Sequence, residues 1–120
     1  MNNILVVDDQ ADIRRMLFVV LGRAFQVVEA DHGAAALVAV KRYHPQMVLL
    51  DIMMPGELDG LQVLDAIKSD PQTRSTLVAM MSARGQPNDA EEARKRGADA
   101  YFIKPFSPTQ VVTWVRSHLN

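Results

Sequence analysis

The sequence predicts an α/β domain built on a parallel sheet, from three observations. Short apolar runs alternate with longer stretches of helical period along the chain, the order expected of βαβ units. Five such runs occur, at Ile4–Val7, Gln26–Val28, Met47–Leu50, Thr76–Met81 and Ala100–Ile103. Polar residues stand just past four of them: Asp8 and Asp9, Asp51, Ser82 and Lys104. If the runs are parallel strands, those side chains gather at the carboxyl edge of one sheet, where open α/β sheets take their ligands.

The intervening segments read as helices near Gln10–Arg23, Gly33–Tyr43, Gly60–Ser69, Asn88–Arg96 and Pro108–Leu119. In the first, Ile13, Leu17, Val20 and Leu21 recur at helical spacing while Arg14, Arg15 and Arg23 lie elsewhere on the wheel. Leu61, Leu64 and Ile67 form a shorter stripe in the third, and Asp70-Pro71 ends it. The fourth has only alanines for an apolar face, so it is expected to pack weakly and to be the most mobile, with Gly97 as a left-handed stop. Its basic end, Arg94-Lys95-Arg96, reads as a solvated helix terminus matching the dipole. The last opens with Ser107-Pro108-Thr109-Gln110, which predicts a capping box, and buries Val111, Val112, Val115 and Leu119. Each strand-helix-strand crossover is expected to be right-handed.

Composition narrows the function. A chain of 120 residues fits one domain, and a formal net charge of −1 offers no field to draw nucleic acid or anionic lipid. Cysteine is absent, which removes disulfides and thiolate metal sites. No apolar stretch approaches the ~20 residues needed to span a bilayer. No signal peptide is read at Met1-Asn2-Asn3, so the expected compartment is the cytoplasm. His32, His44 and His118 lack metal-ligand spacing and are expected at the surface, and Trp114 half-buried on the last helix.

The chemistry lies in the carboxylates. Asp8, Asp9 and Asp51 in one cleft would repel one another unless a cation intervened. Mg²⁺ fits, since it prefers one or two carboxylates together with water and phosphate oxygens. Lys104 adds a positive charge and Ser82 a hydroxyl donor, so each of the three groups has a phosphoryl oxygen to contact. With no cysteine, and no histidine beside the cleft in sequence, the nucleophile is a carboxylate. The adjacent pair Asp8-Asp9 suits the metal; Asp51, standing alone, is the expected acceptor.

Four motifs, Asp8-Asp9, Asp51-Ile52-Met53-Met54-Pro55, Ser82-Ala83 and Lys104-Pro105-Phe106, occur in the order and spacing of a family. The chain resembles a receiver domain of bacterial two-component response regulators over essentially residues 1–120. The resemblance implies a flavodoxin-like sheet of five parallel strands in order 2-1-3-4-5 with helices on both faces. It implies that Asp51 accepts a phosphoryl group from the phosphohistidine of a histidine kinase or phosphotransfer protein. Asp9 and Asp51 would ligate Mg²⁺ directly, with the main-chain carbonyl of Met53, and Asp8 through water. Ser82 and Lys104 would bind phosphoryl oxygens, and the bond to Pro105 would be cis. A switch is also implied: Ser82 moves inward, Tyr101 turns from exposed to buried, and the surface of the fourth helix, fifth strand and fifth helix changes. That surface would act on a downstream target or an effector domain, as a monomer or a phosphorylation-dependent dimer, without direct contact to nucleic acid or membrane. Met53 and Arg84 would influence the lifetime of the acyl phosphate.

One departure stands out. The family usually places two residues between Met-Pro and Asp-Gly; here Gly56, Glu57 and Leu58 intervene. Other functions use the same groups. One is an Mg²⁺-dependent phosphatase with Asp51 as nucleophile; 120 residues leave no cap domain for its substrate pocket. Another is a receiver-like interaction module that takes no phosphate, against which the complete polar set argues. The last is a flavodoxin-like cofactor binder, but no Gly-rich loop follows the first strand.

Overall fold

The computed structural model describes residues 2–83 and 87–119. Five strands and five helices alternate: β1 Asn3–Val7, α1 Ala11–Leu21, β2 Gln26–Ala30, α2 Gly33–Tyr43, β3 Met47–Asp51, α3 Gly60–Ser69, β4 Leu77–Ser82, α4 Pro87–Lys95, β5 Ala100–Ile103 and α5 Pro108–His118. The strands pair in parallel in the order β2-β1-β3-β4-β5.

Strand side chains alternate between two cores. Leu5, Val7, Val48, Leu50, Val78 and Met80 point to one face and pack with Ala36, Ala39 and Val40 of α2, Val63, Leu64 and Ile67 of α3 and Ala93 of α4. Ile4, Val6, Met47, Leu49, Ala79 and Met81 point to the other, against Leu17 and Leu21 of α1 and Val111 and Val115 of α5. Burial on both faces explains why these strands read as unbroken apolar runs rather than as polar-apolar alternation.

The helix stripes follow the expected periodicity, with Ile13, Val20, Leu61 and Val112 half-buried at their margins. Gly97 stops α4 with φ 104°. Three local expectations need correction. Helix α1 ends at Leu21, short of Arg23, because Phe25 turns into the core. Ser107 forms no capping box: its side chain makes no cap bond, and the N–H of Gln110 donates to the Ser107 carbonyl at 3.1 Å instead. The capping box belongs to Asp59 and Gln62 at the start of α3, with reciprocal bonds of 2.9 Å. Finally, Arg96 is not simply solvated. It pairs with Asp65 of α3 at 3.1 Å and with Glu92 at 3.0 Å, tying the alanine-faced α4 to its neighbour.

Candidate functional site

In-phase parallel pairing brings the strand ends level. Val7 pairs with Leu50, Asp51 with Met81 and Ser82 with Ile103. Asp8 and Lys104 are the next residues of β1 and β5, so the polar positions form a row along the carboxyl edge.

Each of Asp8, Asp9 and Asp51 offers one carboxylate oxygen, and these oxygens lie within 4.8 Å of one another. Asp8 and Asp51 are buried and Asp9 is exposed. Asp8 is held at both oxygens: Oδ1 accepts the Gln10 N–H at 2.9 Å and Oδ2 accepts Lys104 Nζ at 2.7 Å. Its main chain is tied as well. The N–H donates to Ala30 O at 3.1 Å, and the carbonyl accepts Arg14 Nη1 at 2.7 Å. Arg14 Nε in turn pairs with Glu29 at 3.3 Å, so β1, α1 and β2 together fix Asp8.

Asp51 is less well compensated. Lys104 Nζ lies 3.5 Å from Oδ1, and the Met53 N–H reaches the same oxygen at 3.4 Å. Burial pushes the Asp51 carboxyl up to about 7; the Asp8 charge adds to the rise and the Lys104 ammonium opposes it. Two buried carboxylates share one ammonium, and the third, Asp9, faces solvent. An oxygen-only donor set with a solvent-facing side fits Mg²⁺, which keeps several waters and demands no protein cage.

The remaining positions take their places around this cluster. Ser82 is fully buried at the end of β4, and its carbonyl accepts the Lys104 N–H at 2.7 Å. Met53 is exposed beside Asp51. Tyr101 is half-buried against the α2–α3 core. The Lys104–Pro105 bond is cis. Arg84 lies outside the described residues.

The longer loop leaves Asp51 through Gly56, which has φ 101° and nothing within 4 Å of a Cβ, so the additional residue is taken up at the exposed tip. The loop then returns tightly. Gly60 N–H donates to Ile52 O at 2.9 Å, and a Cβ on Gly60 would stand 2.1 Å from the Asp51 carbonyl.

Sequence reasoning missed Gln10 and Arg14 as members of the site. Gln10 carried a signal, being a poor N-cap residue directly after the acidic pair.

The family model for the response regulator receiver domain matches residues 4–116. The chain belongs to the receiver domain family of two-component response regulators. Among its relatives, the phosphate regulon transcriptional regulatory protein PhoB of Klebsiella pneumoniae is 40% identical over 115 residues, covering 95% of this chain and 50% of PhoB. The chain spans about half the length of the curated relatives it matches. Among solved structures, Vibrio cholerae chemotaxis protein CheY4 superposes with a TM-score of 0.90 at 26% identity, covering 99% of both chains. A BeF3-activated DrrB receiver domain superposes with a TM-score of 0.90 at 25% identity, covering 98% of this chain and 97% of that one. Receiver domains are signalling switches. Among the described residues, no helix is long and apolar enough to cross a membrane.

Proposed function

We propose that this receiver domain accepts a phosphoryl group on Asp51, in an Mg²⁺-dependent reaction, from a phosphohistidine of a histidine kinase or phosphotransfer protein. The observation that carries the reading is the convergence of the Asp8, Asp9 and Asp51 carboxylates within 4.8 Å, with the Lys104 ammonium 3.5 Å from Asp51.

Asp9, Asp51 and the Met53 carbonyl would hold Mg²⁺, with Asp8 acting through water. When bound, the ion supplies positive charge that relieves carboxylate repulsion and favours the phosphoryl oxygens. An Asp51 oxygen attacks phosphorus and forms the O–P bond. The P–N bond to the donor imidazole breaks, its electron pair stays on nitrogen, and solvent protonates the ring. Lys104 and the Ser82 hydroxyl donate to phosphoryl oxygens, where negative charge persists through the transfer. Exposed Asp9 and Met53 leave the approach open to a large donor.

The switch follows from the same contacts. Engagement of the Ser82 hydroxyl draws the end of β4 inward, and half-buried Tyr101 moves further in beside it. The surface of α4, β5 and α5 then differs between the two states. Its reader is a downstream target protein or an effector segment of the kind the longer relatives carry. Residues 1–120 act as one receiver unit, in the cytoplasm.

Incubation with acetyl phosphate and Mg²⁺ followed by intact-mass measurement tests the reading. One added phosphoryl group is expected, lost with EDTA and in Asp51→Asn. The DrrB receiver domain takes BeF3, and the same mimic is expected to bind here. The absence of both an adduct and beryllofluoride binding would make a receiver-like interaction module the better account.

A further inference from the structure

Gln10 is the N-cap residue of α1, with φ −88° and ψ 112°, yet its side chain makes no cap hydrogen bond. Helix N-caps favour short Ser, Thr, Asp and Asn side chains that reach back to the first-turn N–H groups. Gln10 turns the other way. Its Oε1 accepts Lys104 Nζ at 3.1 Å, while its main-chain N–H donates to Asp8 Oδ1 at 2.9 Å. One residue therefore contacts both the ammonium and the carboxylate on which that ammonium rests.

The ammonium carries three donors. Asp8 Oδ2 takes one at 2.7 Å and Gln10 takes a second. Asp51 Oδ1, at 3.5 Å, is beyond ordinary hydrogen-bond length. We infer that Gln10 is a positioning residue: with Asp8, its amide oxygen holds the Lys104 ammonium back from Asp51. The acceptor carboxylate thus stays free to attack, and one N–H donor stays available to an incoming phosphoryl oxygen. A neutral acceptor suits this task. A glutamate there would hold the ammonium more tightly and add negative charge facing a phosphoryl dianion. With no acceptor at residue 10, the ammonium closes on Asp51 and occupies its lone pairs. The inference rests on Asp51 being the phosphoacceptor.

Gln10→Met tests it, because the side chain keeps its length and loses the acceptor; Gln10→Asn, which keeps the amide but not the reach, is the second variant. Two readouts are needed. The first is the Nζ resonance of Lys104 by NMR in metal-free protein, expected to shift in both variants. The second is the rate of phosphorylation by acetyl phosphate at saturating Mg²⁺, expected to fall about three- to tenfold, the range for one hydrogen bond. An unchanged resonance overturns the inference even if the rate falls, because the effect then does not run through Lys104. An unchanged rate overturns it as well. If the unsubstituted protein takes no phosphoryl group, the acceptor assignment fails, and the Lys104 resonance alone decides whether Gln10 holds the ammonium.

Discussion

Two lysines mark opposite edges of the sheet and meet opposite fates. At the amino edge, Lys68 Nζ donates to the carbonyls of Thr76 at 2.7 Å and Arg74 at 3.2 Å and pairs with Asp99 at 3.1 Å. Asp99 in turn accepts the Val78 N–H at 2.9 Å. Each donor has an acceptor, and the one negative charge is balanced by one positive charge. At the carboxyl edge, Lys104 serves two buried carboxylates and a neutral amide, with a third carboxylate close by. The first arrangement is a staple between α3, β4 and the start of β5. The second is left electrostatically incomplete, an imbalance that the proposed uptake of a cation and a phosphoryl group would relieve.

Substituting the two lysines separates these roles most sharply. Lys104→Met is expected to slow phosphorylation by acetyl phosphate about 10²–10³-fold, the usual loss when a charge-stabilising donor is removed. A loss below tenfold would mean that Lys104 does not contact the transferring group. Lys68→Met is expected to leave that rate unchanged and to cost about 1–3 kcal/mol in denaturant unfolding, since it strands Asp99 and two carbonyls. A rate effect there would erase the distinction between the edges.

The imbalance at the carboxyl edge also has a pH signature. In the folded, metal-free protein Asp51 titrates near 7, against 3.8 for the ordinary carboxyl. Below the lower value both states are protonated and the site costs nothing. As pH rises between the two, the unfolded chain releases its proton first, so stability falls, and the full penalty persists above the folded value. Asp51→Asn is therefore expected to be more stable than the unsubstituted protein in EDTA at pH 8, by about 1–4 kcal/mol, and equal to it near pH 3.5. Urea titrations at the two pH values decide it; a variant less stable at pH 8 would show that the carboxylate is already compensated. The gain in Tm on adding Mg²⁺ should accordingly be larger at pH 8 than at pH 6, because the ion needs the ionised form.

The smallest effect expected is at an ordinary feature of the same edge. Asp59→Ala removes the capping box of α3 and should cost about 1 kcal/mol with no change in phosphorylation rate. A large rate effect would mean that the loop between Asp51 and α3 is held by its cap rather than by its backbone contact.

Most of the architecture was legible because burial on both faces writes β1, β3 and β4 as apolar runs, and because polar residues interrupt those runs where the sheet ends. Asp8, Asp51 and Lys104 could be brought together on paper from strand ends alone. What could not be read were pairings between distant side chains: Lys68 with Asp99, Arg96 with Asp65, Gln10 with Lys104. Each joins residues 31 or more apart in the chain, and nothing local selects the partner. The capping box failed for a local reason of the opposite kind. Ser107 and Asp59 both stand where a cap belongs, but only Asp59 turns its side chain onto the first-turn N–H, and a residue pattern does not record that rotamer.

The contact between Gly60 and the end of β3 sets a limit on variation. Every other amino acid carries the atom that would strike the Asp51 carbonyl. In a library covering all substitutions, this position should therefore reject nearly everything, while Gly56, open at the loop tip, should reject mainly through its backbone angle. The same short segment would thus demand glycine twice for different reasons, at Gly60 because a neighbouring carbonyl occupies the space and at Gly56 because of its positive φ.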